Sequence, residues 1–148
     1  MPDILHRISI DADTDTVREL VSTKRGVADW WSAHPAGGTD RLCGTMEIFF
    51  GGSKPAAVME IVEDSAERVV WRCLEGPPPW VGTEINFRLD AQKGGGTTLV
   101  FTHAGWRESS DFMAHCSMNW SAYLTSLKKG AEGEAFTPFP AGEVSRWS

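Results

Sequence analysis

The chain has 148 residues, is 41% hydrophobic and 23% charged, and carries a net charge of −6. This length predicts one domain with its own core, and the balance of apolar and charged residues argues against intrinsic disorder. The longest basic runs are Lys24-Arg25 and Lys128-Lys129, which disfavours nucleic acid as a partner. No apolar run approaches the 18 residues of a membrane-spanning helix, so no membrane association is expected.

Cysteine usage and the N-terminal residues predict a cytoplasmic protein without a metal or cofactor. Cys43, Cys73 and Cys116 are widely spaced and form no CxxC or zinc-ligand pattern. Residues 1–7 contain no apolar segment of the kind found in signal peptides. The aromatic content is unusual, with seven Trp and seven Phe against one Tyr, and it indicates either a large core or a cavity.

The first third of the chain predicts a strand and two short helices. Apolar residues alternate over residues 4–10, which indicates a strand with one apolar face. Asp13 can cap the next helix, and Gly26 is expected to break the pattern before a second one. That helix carries Trp30-Trp31 and is expected to end at the Pro and Gly residues within 35–38.

The middle of the chain predicts strands joined by short turns. Alternating or apolar runs occupy residues 45–50, 57–63, 67–74, 83–90 and 99–103. Turns are expected at residues 51–55 and 94–96, and no inner face can be assigned to residues 57–63. Pro77-Pro78-Pro79 predicts a loop, because proline cannot donate a ladder hydrogen bond. An inward Trp71 leaves Arg72 facing solvent.

A long helix is predicted from about Ser109 to Lys129. Ser109 or Ser110 can cap its start, and Gly130 suits the position just beyond its end. We therefore expect a domain over residues 1–132 and an irregular tail over residues 133–148. The long helix is the only element large enough to cover one face of an antiparallel sheet.

Several motifs occur in an order that is similar to a known family. They are Ile8-Ser9-Ile10-Asp11-Ala12, Trp30-Trp31, Gly44-Thr45-Met46, Val69-Val70-Trp71, Gly82-Thr83-Glu84-Ile85-Asn86-Phe87, Gly96-Thr97-Thr98-Leu99, Thr102-His103-Ala104-Gly105-Trp106, Asn119-Trp120, Tyr123-Leu124 and Leu127-Lys128. The chain resembles the SRPBCC, or START/Bet v 1-like, superfamily, and most closely bacterial proteins related to the C-terminal domain of the activator of Hsp90 ATPase. Asn119 departs from the resemblance, because the family usually has Gly there.

The resemblance implies an α+β helix-grip fold, in which a curved antiparallel sheet wraps around a long C-terminal helix and two short helices follow the first strand. It also implies a cavity for a small apolar or aromatic molecule between sheet and helix. Apolar walls with a few polar groups suit such a site. The candidate wall residues are Trp31, Met46, Ile48, Trp71, Trp80, Phe87, Phe101, His103, Trp106, Met113 and Trp120. The alternative for each of them is simple core packing.

Three functions are compatible with these features. The first is a non-catalytic ligand-binding protein, monomeric or homodimeric. The second is an enzyme of the cyclase, aromatase or hydratase type, for which an inward His103 or His115 could transfer protons; a Cys116 nucleophile lacks any evident orienting group. The third is a protein-interaction module like the Hsp90 activator domain, although 148 residues leave no room for the separate N-terminal domain of eukaryotic co-chaperones.

Overall fold

A computed structural model describes residues 1–31, 44–50, 54–138 and 144–147 of the chain. The elements within these residues are β1 (Ile4–Ile10), α1 (Thr14–Ser22), α2 (Lys24–Trp30), β2 (Thr45–Ile48), β3 (Ala57–Asp64), β4 (Arg68–Glu75), β5 (Glu84–Ala91), β6 (Thr97–Ala104) and α3 (Asp111–Ala131). The strands form one antiparallel sheet in the order β1-β6-β5-β4-β3-β2. The curved sheet, the long C-terminal helix and the two short helices confirm the predicted α+β helix-grip fold.

Side-chain alternation on the central strands builds the inner face of the sheet. Ile85 and Phe87 on β5 are fully buried, as are Leu99 and Phe101 on the neighbouring β6. Phe87 lies directly opposite Phe101 in the ladder, so the two apolar faces coincide. On β4 Trp71 is buried, and the next residue, Arg72, is exposed and pairs with Glu84 over 2.9 Å. Both predictions for these two residues are confirmed.

Irregular pairing explains why the inner face of β3 could not be assigned from the sequence. Ala57 and Met59 are buried, which matches alternation at the start of the strand. The register with β4 then shifts between Val58 and Met59 and again between Ile61 and Glu63. The extra residue of the second shift, Val62, is on β3 and interrupts the two-residue period that defines its faces.

Gly26 lies inside α2, so the prediction that it breaks the helical pattern is wrong. The break occurs at Thr23, which ends α1 and whose side chain accepts a hydrogen bond from the Gly26 N–H. A Cβ at Gly26 would contact the Glu19 carbonyl and would lie 2.6 Å from the Leu20 Cα. Glycine is therefore needed for the close packing of α2 on α1. The predicted breakers at 35–38 lie outside the described residues, as do residues 51–53 of the predicted turn.

The long helix begins as predicted and ends later than predicted. The Ser110 side chain accepts a hydrogen bond from the Met113 N–H and so caps α3. Gly130 lies within the helix and not beyond it, which corrects its expected role. A Cβ at Gly130 would overlap the ring of Phe136, so this glycine makes room for the returning chain. Gly133, with a φ of 95°, follows the true end of the helix.

The connection between β4 and β5 is more regular than the predicted loop. Pro78–Trp80 form a single 3₁₀ turn, in which the Trp80 N–H donates to the Pro77 carbonyl. This turn carries the Trp80 side chain over the inner face of the sheet, where it is 7% exposed. Among the described residues, no helix is long and apolar enough to cross a membrane.

Candidate functional site

Aromatic rings fill much of the space between the sheet and α3. The ring centroid of Trp31 lies 5.0 Å from that of Trp120 and 5.7 Å from that of Trp71. Trp30 stacks on Trp31 at 6.1 Å, and Phe87 packs edge-on against Trp71 at 4.8 Å. All five side chains are at most 2% exposed. Much of the unusual tryptophan content therefore belongs to the packed core.

Two indole N–H groups complete the C-terminal end of α1, where the last helical carbonyls lack partners within the helix. Trp30 Nε1 donates to the Leu20 carbonyl over 2.7 Å, and Trp71 Nε1 donates to the Val21 carbonyl over 3.2 Å. Buried carbonyls are costly when they are unpaired. Phenylalanine could fill the same space, but it could not supply these hydrogen bonds.

His103 lies in a buried hydrogen-bond network that links α3 to the β4–β5 connection. Its Nδ1 accepts from Trp120 Nε1 over 3.1 Å, and its Nε2 lies 2.8 Å from the hydroxyl oxygen of Thr83. Indole nitrogen only donates, so the proton of the neutral imidazole is on Nε2, which donates to Thr83. Burial lowers the pKa of His103 to about 3. Both ring nitrogens are engaged within the core, which leaves neither free to exchange a proton with a ligand.

A cavity of about 170 Å³ lies between α3, the end of α2 and the β4–β5 connection. Its lining residues are Trp31, Phe50, Ala56, Pro77, Trp80, Phe112, His115, Cys116, Asn119, Trp120 and Tyr123. An engineered cavity of about 150 Å³ in another protein binds benzene. The volume therefore matches one aromatic ring or a molecule of similar size.

The wall contributed by α3 has an apolar and a polar side. Phe112, Cys116 and Trp120 follow one another at a spacing of four residues, and so do His115, Asn119 and Tyr123. Residues four apart share one face of a helix, so these sets form two adjacent stripes. A bound molecule would meet rings and a thiol on one side, and imidazole, amide and phenol groups on the other.

The structure divides the candidate wall residues into two groups. Trp31, Trp80 and Trp120 line the cavity. Met113 is partly buried and packs against the core, and the others are buried within it: Met46, Ile48, Trp71, Phe87, Phe101, His103 and Trp106. Alternation identifies side chains that point inward, but it does not show where the inward side chains leave a gap.

Eight further described residues line the cavity, and the sequence analysis names two of them, His115 and Cys116, for possible chemistry and not as wall residues. The strength of the sequence signal differs among the others. Phe112 and Cys116 lie two turns and one turn before Trp120 in the predicted helix, so their spacing carries a signal. The sequence marks Asn119 only as a departure from the family pattern. Ala56 and Pro77 carried none, because their place depends on how the connections fold over the sheet.

The described thiols are poor nucleophiles. Cys73 and Cys116 are free and buried, and burial raises the pKa of each to about 11. Trp80 Nε1 also donates to the Cys116 sulfur over 3.4 Å. The protonated thiol therefore dominates at neutral pH. Within the described residues, no group of three or more His, Cys, Asp or Glu side chains could hold a metal ion.

Comparison with known proteins assigns the fold to a family. A family model described as Activator of Hsp90 ATPase homolog 1-like protein matches residues 11–132. The chain belongs to this family. The match confirms the resemblance drawn from the ordered motifs and covers all elements except β1. None of the curated proteins matches the chain.

Solved structures share this architecture. The Aha1 dimer from Colwellia psychrerythraea is 32% identical, with a TM-score of 0.78, and the alignment covers 90% of this chain and 98% of that one. CalU16 from Micromonospora echinospora is 24% identical, with a TM-score of 0.67 and coverages of 89% and 75%. The protein SSP2350 from Staphylococcus saprophyticus is 17% identical, with a TM-score of 0.71 and coverages of 93% and 97%. The last two likenesses concern the fold alone.

Proposed function

We propose that the protein binds a small, mainly apolar aromatic molecule in the cavity beside α3. The observation that carries this proposal is a cavity of about 170 Å³ walled by the indoles of Trp31, Trp80 and Trp120. The family match and the shared architecture support a ligand-binding fold of the SRPBCC type. Apolar walls with a few polar groups at one side are typical of small-molecule sites.

The chemistry of the cavity wall favours an uncharged ligand. Among the described lining residues there is no Asp, Glu, Lys or Arg. A charged group moved from water into such surroundings would remain unpaired, which is strongly unfavourable. A neutral hydroxyl or carbonyl group could instead bond to the polar stripe at His115, Asn119 and Tyr123.

Ligand titration tests the proposal directly. Tryptophan fluorescence and thermal unfolding are followed while benzene, phenol, indole or benzoate is added. The neutral rings should change the fluorescence and raise the melting temperature, because a ligand that binds only the folded state stabilises it. Benzoate should have a much smaller effect. The absence of any response to all four compounds would refute the proposal.

A second candidate function is acid–base catalysis on a bound molecule. It rests on His115, which lines the cavity and whose Nδ1 lies 2.7 Å from the hydroxyl oxygen of Ser145. Imidazole is a common proton donor and acceptor in catalysis. Mass spectrometry of each compound after incubation separates the two candidates: unchanged compounds support binding alone, and a product lost on His115→Gln supports catalysis.

We extend the proposal to a homodimer in the cytoplasm. The Colwellia relative, which is 32% identical, is described as a dimer. The free thiols of Cys73 and Cys116 suit a reducing compartment. Sedimentation analysis of the purified chain tests the dimer, and a purely monomeric species at micromolar concentrations would contradict it.

A further inference from the structure

Residues 144–147 return to α3 beside the cavity and are held there by Asn119. Asn119 Oδ1 accepts hydrogen bonds from the backbone N–H groups of Val144 and Ser145, over 3.0 and 2.7 Å. Asn119 Nδ2 donates to the Ser145 carbonyl over 2.9 Å. Asn119 is 8% exposed and also lines the cavity. The residue that departs from the family pattern thus links the C-terminal segment to the cavity wall.

The same segment contacts two further cavity residues. The Ser145 hydroxyl lies 2.7 Å from His115 Nδ1. The Trp147 ring packs edge-on against Phe112 at 5.0 Å and lies 5.4 Å from His115. Phe112, His115 and Asn119 lie on successive turns of α3. Residues 144–147 therefore support the part of the cavity wall that these three side chains form.

The segment is held by few interactions compared with the core beneath it. Val144 and Trp147 are 59% and 57% exposed, so they bury little apolar area. Segments that are held by a few hydrogen bonds at the surface open locally without unfolding of the whole domain. Its release would leave the side chains of Phe112 and His115 free to change rotamer.

We propose that residues 144–147 form a strap that keeps this wall of the cavity in place and controls access to it. The inference rests on the proposed function, since it treats the cavity as a site that a ligand enters. The closed strap occupies His115 Nδ1, the Asn119 Oδ1 and one N–H of Asn119 Nδ2. Its release both opens the wall and exposes these groups to an incoming molecule.

Access to the cavity can be measured without a ligand through Cys116, which lines it and is 5% exposed. A variant with Cys43→Ser and Cys73→Val keeps Cys116 as its single thiol. The rate of its reaction with methyl methanethiosulfonate is followed by mass spectrometry. Deletion of residues 144–148 in this background should raise the rate about tenfold, because several hydrogen bonds that oppose opening are lost.

Two further variants keep the test valid if the shortened chain does not fold. Asn119→Ala removes the side chain that holds the strap and should raise the rate by a similar factor. Val144→Ala is the matched control, because it keeps the backbone N–H that bonds to Asn119 and should leave the rate unchanged.

Global loosening is distinguished by a variant with Cys43→Ser and Cys116→Ala, which keeps Cys73. This thiol is 1% exposed and lies on β4. Faster reaction of Cys116 with an unchanged rate for Cys73 supports the strap. Unchanged reaction of Cys116, or an equal increase at both thiols, overturns it. Because no ligand is used, failure of the ligand titrations would refute the proposed function without deciding this result.

Discussion

The indole N–H of Trp120 donates to Nδ1 of His103 over 3.1 Å. This contact fixes the histidine tautomer, since the ring must then donate from Nε2 to the Thr83 hydroxyl, 2.8 Å away. The neutral imidazole therefore satisfies one donor on α3 and one hydroxyl on the β4–β5 connection. A protonated ring would lose the acceptor at Nδ1 and place a charge in the core. The network is built for a neutral histidine at all physiological pH values.

Stability should therefore fall as the pH is lowered from about 6.5 towards 3. Burial lowers the pKa of His103 from 6.5 to about 3. Over this interval the unfolded chain binds a proton that the folded chain does not. The free energy of unfolding therefore becomes smaller as the pH falls. Urea unfolding at successive pH values should show a loss of up to about 1 kcal/mol per pH unit from this residue.

His103→Gln provides the comparison for this pH dependence, because glutamine keeps one acceptor and one donor but does not titrate. The variant should be less stable near neutral pH and should lose less stability on acidification. Equal slopes for the two proteins below pH 6.5 would show that His103 does not contribute to the acid sensitivity.

Filling the cavity should abolish ligand binding without unfolding the protein. Ala56 lines the cavity, and Ala56→Phe places a ring where a ligand ring would lie. Filling an existing void commonly leaves stability unchanged or raises it by about 0.5–2 kcal/mol. The response of tryptophan fluorescence to phenol should disappear. Ala66→Phe is the control, because Ala66 is exposed in the β3–β4 turn and the response should persist; an intact response in Ala56→Phe would place the ligand elsewhere.

Trp30→Phe should destabilise the fold by more than the loss of apolar area. The substitution removes the donor to the Leu20 carbonyl at the partly buried C-terminal end of α1. An unpaired buried acceptor costs about 1–3 kcal/mol, in addition to the lost contacts. Chemical denaturation measures this loss. Trp147→Phe is the matched control, because Trp147 is 57% exposed and its replacement should change stability by less than about 0.5 kcal/mol. Equal effects at the two positions would contradict a capping role for Trp30.

Replacement by alanine should lower the stability of the fold much more at Gly26 than at Gly130. Gly26→Ala places a methyl group against the backbone of α1, 2.6 Å from the Leu20 Cα, and should cost about 1–3 kcal/mol. The nearest atoms that Gly130→Ala meets belong to the side chain of Phe136 and not to backbone, while the helix gains about 1 kcal/mol in propensity. Thermal unfolding should therefore rank Gly26→Ala well below Gly130→Ala, and the reverse order would contradict the close α1–α2 packing.

The helix-grip fold was largely predictable because its signals are local. Alternation at Ile85, Phe87 and Leu89, or capping at Asp13, depends on a few neighbouring residues and survives in any environment. Gly26 and Gly130 were misread because glycine marks both chain breaks and close packing. Only the folded positions of Glu19 beside Gly26 and of Phe136 beside Gly130 show that close packing applies at both glycines.

The cavity depends on information that no single segment contains. By itself the sequence determined the order of elements, the inward strand faces, the family resemblance and the richness in indole. The tertiary structure alone decided that Trp30 and Trp71 complete a helix end, that His103 is locked between Trp120 and Thr83, and that the space lies beside Trp31. The physical reason is that periodicity fixes the direction of a side chain, whereas a void is set by how well side chains from separate elements fill the volume between them.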